Sequence, residues 1–158
     1  MFERGAGDAT PRDDAIRLLA RREYSRAELE DRLAAKGHAG EAVAECLDEL
    51  AEQGLQSDAR FAESFLRSRL FRGQGPVKIR LEMARRGLSP EEVKEAFAAG
   101  EVDWRALACE ALSRRFSGPG ESPRERARRE RFLAGRGFDF DQVRHALAHA
   151  WEDGADEA

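Results

Sequence analysis

Apolar residues along the chain follow a helical spacing, and the same spacing returns after 50 residues. Ile79 and Met83 lie four positions apart and are followed by Arg86 and Gly87, which indicates a short helix that stops at a glycine. The earlier counterparts are Leu29, Leu33, Lys36 and Gly37, and the later ones are Arg129, Leu133, Arg136 and Gly137. Two further series continue the period: Val43, Val93 and Val143, then Leu47, Phe97 and Leu147. We interpret the chain as three tandem copies of one helical unit.

This pattern predicts an all-α fold in which each copy contributes three helices. Residues typical of helix N-caps precede four of the predicted helices: Thr10, Ser25, Ser89 and Ser122. We place the three-helix repeats at residues 10–54, 55–100 and 101–152, with disordered tails at 1–9 and 153–158. A unit of about 50 residues buries its own apolar face poorly, so consecutive repeats should stack into an elongated, curved body.

Charge is distributed unevenly along the chain. The formal net charge is -4, although 37% of the residues are charged. Residues 60–87 contain eight basic residues and two carboxylates, whereas residues 41–58 contain six carboxylates and no basic residue. Separate positive and negative zones of this kind suit docking to a partner that combines protein and nucleic acid.

The sequence argues against several classes of protein. No apolar run approaches the roughly 18 residues that span a bilayer, and the first ten residues lack the features of a signal peptide, so we expect no membrane partner and a cytoplasmic location. Cys46 and Cys109 lie in helical apolar patterns without a CxxC motif and are expected to be buried free thiols. His145 and His149 are spaced i, i+4 but lack a third ligand. We therefore expect neither a metal nor a cofactor, and no enzymatic activity.

Basic residues on two consecutive helices form the main candidate binding site. The helices are joined by the turn Gly73–Pro76, and their positive charge is barely compensated, a layout that suits phosphates or an acidic protein groove. The turn itself is either a flexible connection with Pro76 at the first helical position or an anion contact assisted by Lys78 and Arg80. The candidates here are Arg67, Arg69, Arg72, Lys78, Arg80 and Arg85.

A second basic stretch lies on the predicted eighth helix and adds the candidates Arg126, Arg128 and Arg129. Glu125 and Glu130 compensate part of its charge, so this stretch is either a contact surface or the solvated face of the helix. Arg136 and Arg86 lie in the last turns of helices, where cations interact favourably with the helix dipole, and we assign them a structural role first.

Five short strings occur in a characteristic order: Tyr24-Ser25-Arg26-Ala27-Glu28-Leu29, Asp58-Ala59-Arg60-Phe61-Ala62-Glu63, Arg72-Gly73-Gln74-Gly75-Pro76 with Ile79, Arg86-Gly87, and Phe132-Leu133-Ala134-Gly135-Arg136-Gly137-Phe138. Together they resemble the bacterial regulatory protein RecX family over residues 12–150. Two departures are visible. Met83 stands where the family usually has leucine, and Gln56-Ser57 replaces a more acidic pair.

The resemblance implies a tandem three-helix-repeat protein that binds the RecA recombinase filament on DNA. Family members of this kind inhibit strand exchange, ATP hydrolysis and coprotease activity, which would affect DNA repair, recombination and the SOS response. We expect the chain to act as a monomer. The charge pattern leaves two alternatives open: a module that binds single- or double-stranded DNA without RecA, and a general helical-repeat scaffold for protein interactions.

Overall fold

The computed structural model describes residues 9–152, and this part of the chain folds into nine α-helices without a β-strand. The predicted terminal tails lie outside the described residues apart from Ala9. The helices are α1 (Pro11–Leu19), α2 (Arg26–Ala35), α3 (Gly40–Glu52), α4 (Asp58–Phe71), α5 (Pro76–Arg85), α6 (Pro90–Gly100), α7 (Trp104–Arg115), α8 (Pro123–Gly135) and α9 (Phe140–His149). The predicted all-α class with three helices per repeat is confirmed.

Short-range hydrogen bonds explain where the helices begin. Each of the four predicted N-cap hydroxyls accepts a hydrogen bond from the amide of the third helical residue, at 3.0–3.1 Å: Thr10 from Asp13, Ser25 from Glu28, Ser89 from Glu92 and Ser122 from Glu125. At the first three of these caps, the carboxylate of the third helical residue accepts a hydrogen bond from the backbone amide of the cap residue. These capping boxes satisfy amides that a helix start otherwise leaves unpaired.

The middle helix of every repeat ends in the same way. Gly37, Gly87 and Gly137 have φ angles of +91°, +90° and +96°, a left-handed conformation that favours glycine. Each glycine amide donates to the carbonyl three residues earlier, at 2.9–3.0 Å. The next amide donates to the carbonyl five residues earlier, at 3.2 Å, which completes a Schellman motif. The 50-residue period is therefore a period of backbone conformation as well as of sequence.

The periodic apolar positions form the core. Leu33, Met83 and Leu133, which occupy one position of the repeat, are all fully buried. The three valines of the second series are buried as well. Removing this surface from water supplies the main favourable free energy of folding.

The described residues form two compact units. The first contains the described residues up to Phe65 together with Met83–Ala96, and the second contains Leu66–Glu82 and the described residues from Phe97 onward. Helices α1, α2 and α3 pack against one another in the first unit, and α7, α8 and α9 do so in the second. Each unit also includes part of the second repeat, so each contains one contact between consecutive repeats.

In the first unit, the end of α5 contacts the start of α2. The Ser25 hydroxyl donates to the carbonyl oxygen of Arg86 at 2.7 Å, and a guanidinium nitrogen of Arg86 lies 2.7 Å from the Glu28 carboxylate. A Cβ atom on Gly87 would lie only 2.3 Å from the Cβ of Ala27. The glycine therefore serves two purposes, because it permits the left-handed turn and lets the two helices approach closely.

In the second unit, the end of α8 contacts the start of α5 through equivalent positions. The Gly75 amide donates to the carbonyl oxygen of Arg136 at 2.7 Å, and the Val77 amide donates to that of Gly137 at 2.9 Å. A Cβ atom on Gly137 would lie 2.3 Å from the Cβ of Lys78. Ser25 and Gly75, like Arg86 and Arg136, are 50 residues apart, so the hydrogen bond to the helix end is made at the same positions of the repeat in both units, while the close Cβ neighbour differs by one position, Ala27 in one contact and Lys78 in the other.

A buried carboxylate links α1 to the end of α2. Asp14 is almost fully buried, and its Oδ2 lies 2.6 Å from Nε2 of His38. The Lys36 ammonium and the Arg17 guanidinium lie 3.7 Å and 3.5 Å from Oδ1. The hydrogen bond from His38 lowers the pKa of Asp14, burial opposes this, and the nearby positive charges add to the lowering.

Protonation of Asp14 is expected to contribute to acid unfolding. A carboxyl group whose pKa is lower in the folded state stabilises the fold above its unfolded pKa, near pH 4, and this contribution is lost as the pH falls through the folded pKa. Asp14→Asn should therefore be less stable than the wild type at pH 7, with a difference that shrinks at acid pH. Urea unfolding between pH 2.5 and 7 measures this, with Asp31→Asn, at an exposed position of α2, as the control. A difference that stays constant with pH would contradict the prediction.

Candidate functional site

The structure divides the nine predicted contact residues into two groups by exposure. Seven side chains are exposed: Arg67, Arg72, Lys78, Arg80, Arg85, Arg126 and Arg128. The other two, Arg69 and Arg129, are buried, each with 9% of its surface accessible. A buried guanidinium cannot reach a macromolecular partner, so the sequence-based choice of these two residues requires correction.

Arg69 is buried and pairs with a carboxylate of the second unit instead of facing solvent. Its guanidinium lies 3.4 Å from the Glu82 carboxylate, and both side chains are largely covered. This pair connects α4 to α5. The sequence placed Arg69 among surface arginines because a charged residue on an amphipathic helix usually lies on the solvated face. We remove it from the contact candidates.

Arg129 occupies the core position of the third repeat that Leu29 and Ile79 occupy in the other two. Its Nε donates to the carbonyl of Gly118 at 3.0 Å, and its Nη1 donates to that of Glu125 at 3.0 Å. The guanidinium lies 4.4 Å from the centroid of the Phe116 ring. Arg129 therefore fixes the α7–α8 connection, and it too is removed from the contact candidates.

The exposed basic residues around α5 retain uncompensated charge. Among residues 9–152, no carboxylate oxygen lies within 4.0 Å of a charged nitrogen of Arg67, Arg72, Lys78, Arg80 or Arg85. The carboxylate of Glu82 instead faces the buried Arg69. The Arg80 guanidinium stacks on Phe97, 4.4 Å from the ring centroid, which leaves its N–H edge available. These side chains can attract an anionic partner at low desolvation cost.

The backbone of the glycine turn before α5 packs against the end of α8. Its Gly75 amide donates to the Arg136 carbonyl, and the first donating amide beyond Pro76, that of Val77, donates to the Gly137 carbonyl. A Cβ on Gly75 would lie 2.4 Å from backbone atoms of Gly137 and Phe138. These two amides and the absence of a side chain at Gly75 are therefore used for packing and are not available to an anion, whereas the flexibility of the turn stays a prediction. Pro76 does begin the helix, as predicted.

Sequence reasoning missed a basic cleft in the second unit. The cleft has a volume of about 260 Å³, and its principal lining residues are Phe71, Arg72, Arg114, Arg115, Phe132 and Arg136. We call it the arginine–phenylalanine cleft. Phe71 lies on α4 outside the apolar stripe, and 92% of its surface is accessible. An aromatic residue outside the apolar face of its helix was the one indication of this cleft in the sequence. The arginines come from three different segments, and only the fold brings them together.

The histidine pair and the two cysteines do not form a candidate site. The rings of His145 and His149 are neighbours, with centroids 4.6 Å apart, but no group of three potential ligands that could hold a metal ion occurs in the described part of the chain. Cys46 is buried, and burial raises the pKa of its thiol, whereas Cys109 is only half-buried, contrary to expectation.

Within residues 9–152, no helix has the length and apolar character needed to cross a membrane.

Comparison with known proteins identifies the family. Family models described as the first, second and third three-helix domains of RecX match residues 12–50, 57–96 and 101–147. The Regulatory protein RecX of Chromohalobacter salexigens is 66% identical over 146 residues, which cover 92% of this chain and 96% of the relative. The chain belongs to the RecX family.

Other RecX proteins extend this similarity. That of Halorhodospira halophila is 48% identical over 154 residues, which cover 97% of this chain and 96% of the relative. The crystal structure of RecX from Lactobacillus salivarius has a TM-score of 0.73 at 22% identity, covering 89% of this chain and 94% of that chain. A second RecX crystal structure has a TM-score of 0.74 at 20% identity, covering 87% and 71%. The two structures show a shared fold.

The RecX domains place the exposed basic residues in context. Five of them lie in the second RecX domain and two in the third. The curated relatives are named regulatory proteins, which fits the expectation that the chain is not an enzyme. The three matched ranges also agree with a tandem arrangement of three-helix domains, while the limits we placed at residues 54, 100 and 152 stay predictions.

Proposed function

We propose that this RecX-family chain binds the RecA filament on DNA and inhibits the recombinase, ATPase and coprotease activities of RecA. The observation that carries the proposal is the family match, which extends through three consecutive RecX domains and nearly the full length of a 66%-identical regulatory protein. The chain acts by binding rather than by catalysis, and RecA on DNA supplies an extended, anionic partner.

The exposed basic residues support an electrostatic contact with this partner. Arg67, Arg72, Lys78 and Arg80 belong to the second unit and carry charge that no nearby described carboxylate neutralises. Arg85 provides a further exposed charge in the first unit. Arg126 and Arg128 extend the set on α8. Charges of this kind steer association with a polyanion and make the affinity depend on salt.

Titration of RecA's ATPase on single-stranded DNA tests the proposal. Wild-type protein should lower the rate at amounts comparable to RecA, and Arg72→Ala/Lys78→Ala should require about 10- to 30-fold more protein for the same inhibition, because two charged contacts are lost. Both side chains are exposed, and alanine at position 78 keeps the Cβ that packs against Gly137. The helical circular dichroism of the variant should match that of the wild type.

A matched control removes the same charges elsewhere. Arg21→Ala/Lys94→Ala also deletes one exposed arginine and one exposed lysine, both in the first unit and outside the proposed contact set. This variant should inhibit RecA as the wild type does. If stoichiometric wild-type protein changes neither the ATPase rate nor the filament length seen by electron microscopy, the proposed function is wrong. Equal loss in both variants would refute the contact residues while leaving the function intact.

A further inference from the structure

The arginine–phenylalanine cleft concentrates positive charge in a concave site. Four of its principal lining residues are arginines, and none of its lining residues is acidic. Arg114 pairs with Glu110 on its own helix. For Arg72, Arg115 and Arg136, no carboxylate oxygen within the described residues lies closer than 4.0 Å. A concave surface of one sign focuses the electric field, so the cleft is built to attract an anion.

Two of the arginines are held in place by aromatic rings and backbone. The Arg136 guanidinium donates to the Arg72 carbonyl at 3.0 Å and lies 5.1 Å from the centroid of Phe132. Arg115 lies 4.9 Å from the Phe116 centroid and 5.9 Å from that of Phe132. A guanidinium supported on a ring loses little freedom when it binds, and its N–H edge matches the oxygens of a phosphate.

Phe71 distinguishes this cleft from a general anion site. An aromatic ring with 92% of its surface in water is an unfavourable feature unless it binds something, and this one borders a cluster of arginines. Exposed aromatic rings beside basic side chains bind single-stranded nucleic acids, because each base stacks on a ring while the phosphate contacts the cations. An acidic peptide would satisfy the arginines, but its carboxylates would offer no partner to the ring.

We propose that the cleft binds one nucleotide of a single DNA strand, with the phosphate on the arginines and the base stacked on Phe71. A duplex already stacks both faces of each base internally, so the ring selects an unpaired strand. The volume of about 260 Å³ suits a unit of nucleotide size rather than a folded partner. The choice of DNA rests on the proposed function, in which the chain contacts a filament formed on DNA.

Fluorescence anisotropy of a fluorescein-labelled 20-nucleotide oligo-dT, with the full chain and without RecA, tests this site. Phe71→Ala should weaken binding roughly 5- to 150-fold, the range for losing one stacked base. Phe71→Trp should retain affinity, and the added indole fluorescence should be quenched by the oligonucleotide. Arg72→Gln/Arg115→Gln should lower the slope of log affinity against log salt by about 0.7, since the cleft holds one phosphate and each phosphate neutralised on a single strand contributes about 0.7.

Matched controls separate this site from exposed residues in general. Phe140→Ala removes another exposed phenylalanine, with 76% of its surface accessible and outside the cleft, and should leave binding unchanged. Arg21→Gln/Arg32→Gln removes two exposed arginines of the first unit and should preserve the salt slope. Because Phe71 is almost fully exposed, Phe71→Ala should unfold at the wild-type temperature, which excludes misfolding as the cause of a loss.

Several outcomes would overturn the inference. These are no binding of oligo-dT by the wild type, equal binding by wild type and Phe71→Ala, or displacement of oligo-dT by a 20-residue poly-glutamate at equal charge concentration, which would indicate an acidic protein partner. Binding of dTMP as tightly as the 20-mer would indicate a free nucleotide instead of a strand. RecA is absent from the oligo-dT assay, so the two experiments are independent. A negative result with oligo-dT does not change the conclusion from the ATPase titration, and a negative ATPase titration does not change the conclusion about the cleft.

Discussion

Gly137→Ala is expected to lower the free energy of unfolding by about 3–5 kcal/mol, while Gly37→Ala lowers it by only about 1–2 kcal/mol. Both glycines end a middle helix with nearly the same φ, +96° and +91°, so the strain of placing alanine in this conformation is common to both. They differ in their surroundings. A Cβ on Gly137 would lie 2.3 Å from the Lys78 Cβ and 2.9 Å from its amide nitrogen, whereas the described residues leave the space beside Gly37 open to 4 Å.

The additional loss at Gly137 comes from the contact between the second and third repeats. Relieving the overlap requires the backbones of α5 and α8 to separate, which weakens the hydrogen bonds from Gly75 to Arg136 and from Val77 to Gly137. Each such bond contributes roughly 0.5–1.5 kcal/mol. Urea unfolding of the two variants, followed by circular dichroism, measures the difference. Equal losses would mean that the close approach of α8 to α5 does not stabilise the protein.

Arg129→Ala is expected to cost about 2–4 kcal/mol of stability, whereas Arg128→Ala should change it by less than about 0.5 kcal/mol. The two arginines are neighbours in the sequence of α8, but Arg129 is buried and Arg128 is exposed. Without Arg129, the Gly118 carbonyl loses a charge-assisted hydrogen bond and the Phe116 ring loses the guanidinium that covers it. Thermal unfolding monitored at 222 nm measures both variants.

A second substitution at the same position separates packing from hydrogen bonding. Arg129→Leu restores the type of residue that Leu29 provides in the first repeat, so it should lose less stability than Arg129→Ala while still freeing the α7–α8 connection. Faster amide hydrogen exchange in residues 117–121 would show that release. An Arg129→Ala protein as stable as Arg128→Ala would contradict the structural role and return Arg129 to the contact candidates.

The features predicted correctly from the sequence are those that depend on local interactions. The caps at Thr10, Ser25, Ser89 and Ser122 need only residues within one helical turn. The three left-handed glycines likewise end helices whose apolar periodicity is visible in the sequence. Tandem repetition strengthened these signals, because the same local pattern occurred three times.

The candidate site was predicted less well because exposure depends on distant parts of the chain. Arg69 and Arg129 carry the same charge as their exposed neighbours. Their burial becomes visible only in the folded chain, where Arg69 lies beside Glu82 and Arg129 bonds to Gly118. The 50-residue period did give a signal for Arg129, which falls in register with two core residues. The charge of α8 outweighed that signal in the sequence-based interpretation. The Gly75–Gly137 contact had no local signal, since it joins backbones 62 positions apart.

The repeated contact between middle helices has a consequence for how such a chain can change in length. Most hydrogen bonds of this contact involve main-chain groups, and the close approach requires small residues at fixed positions. The contact therefore places few demands on the remaining side chains of the two helices. Within the described residues, the Gly37 end of α2 has no neighbour in the corresponding place. A whole module could therefore be added in front of the first or removed by recombination without redesign of the others, and size variation in such proteins should occur in steps of one module rather than in single-residue increments.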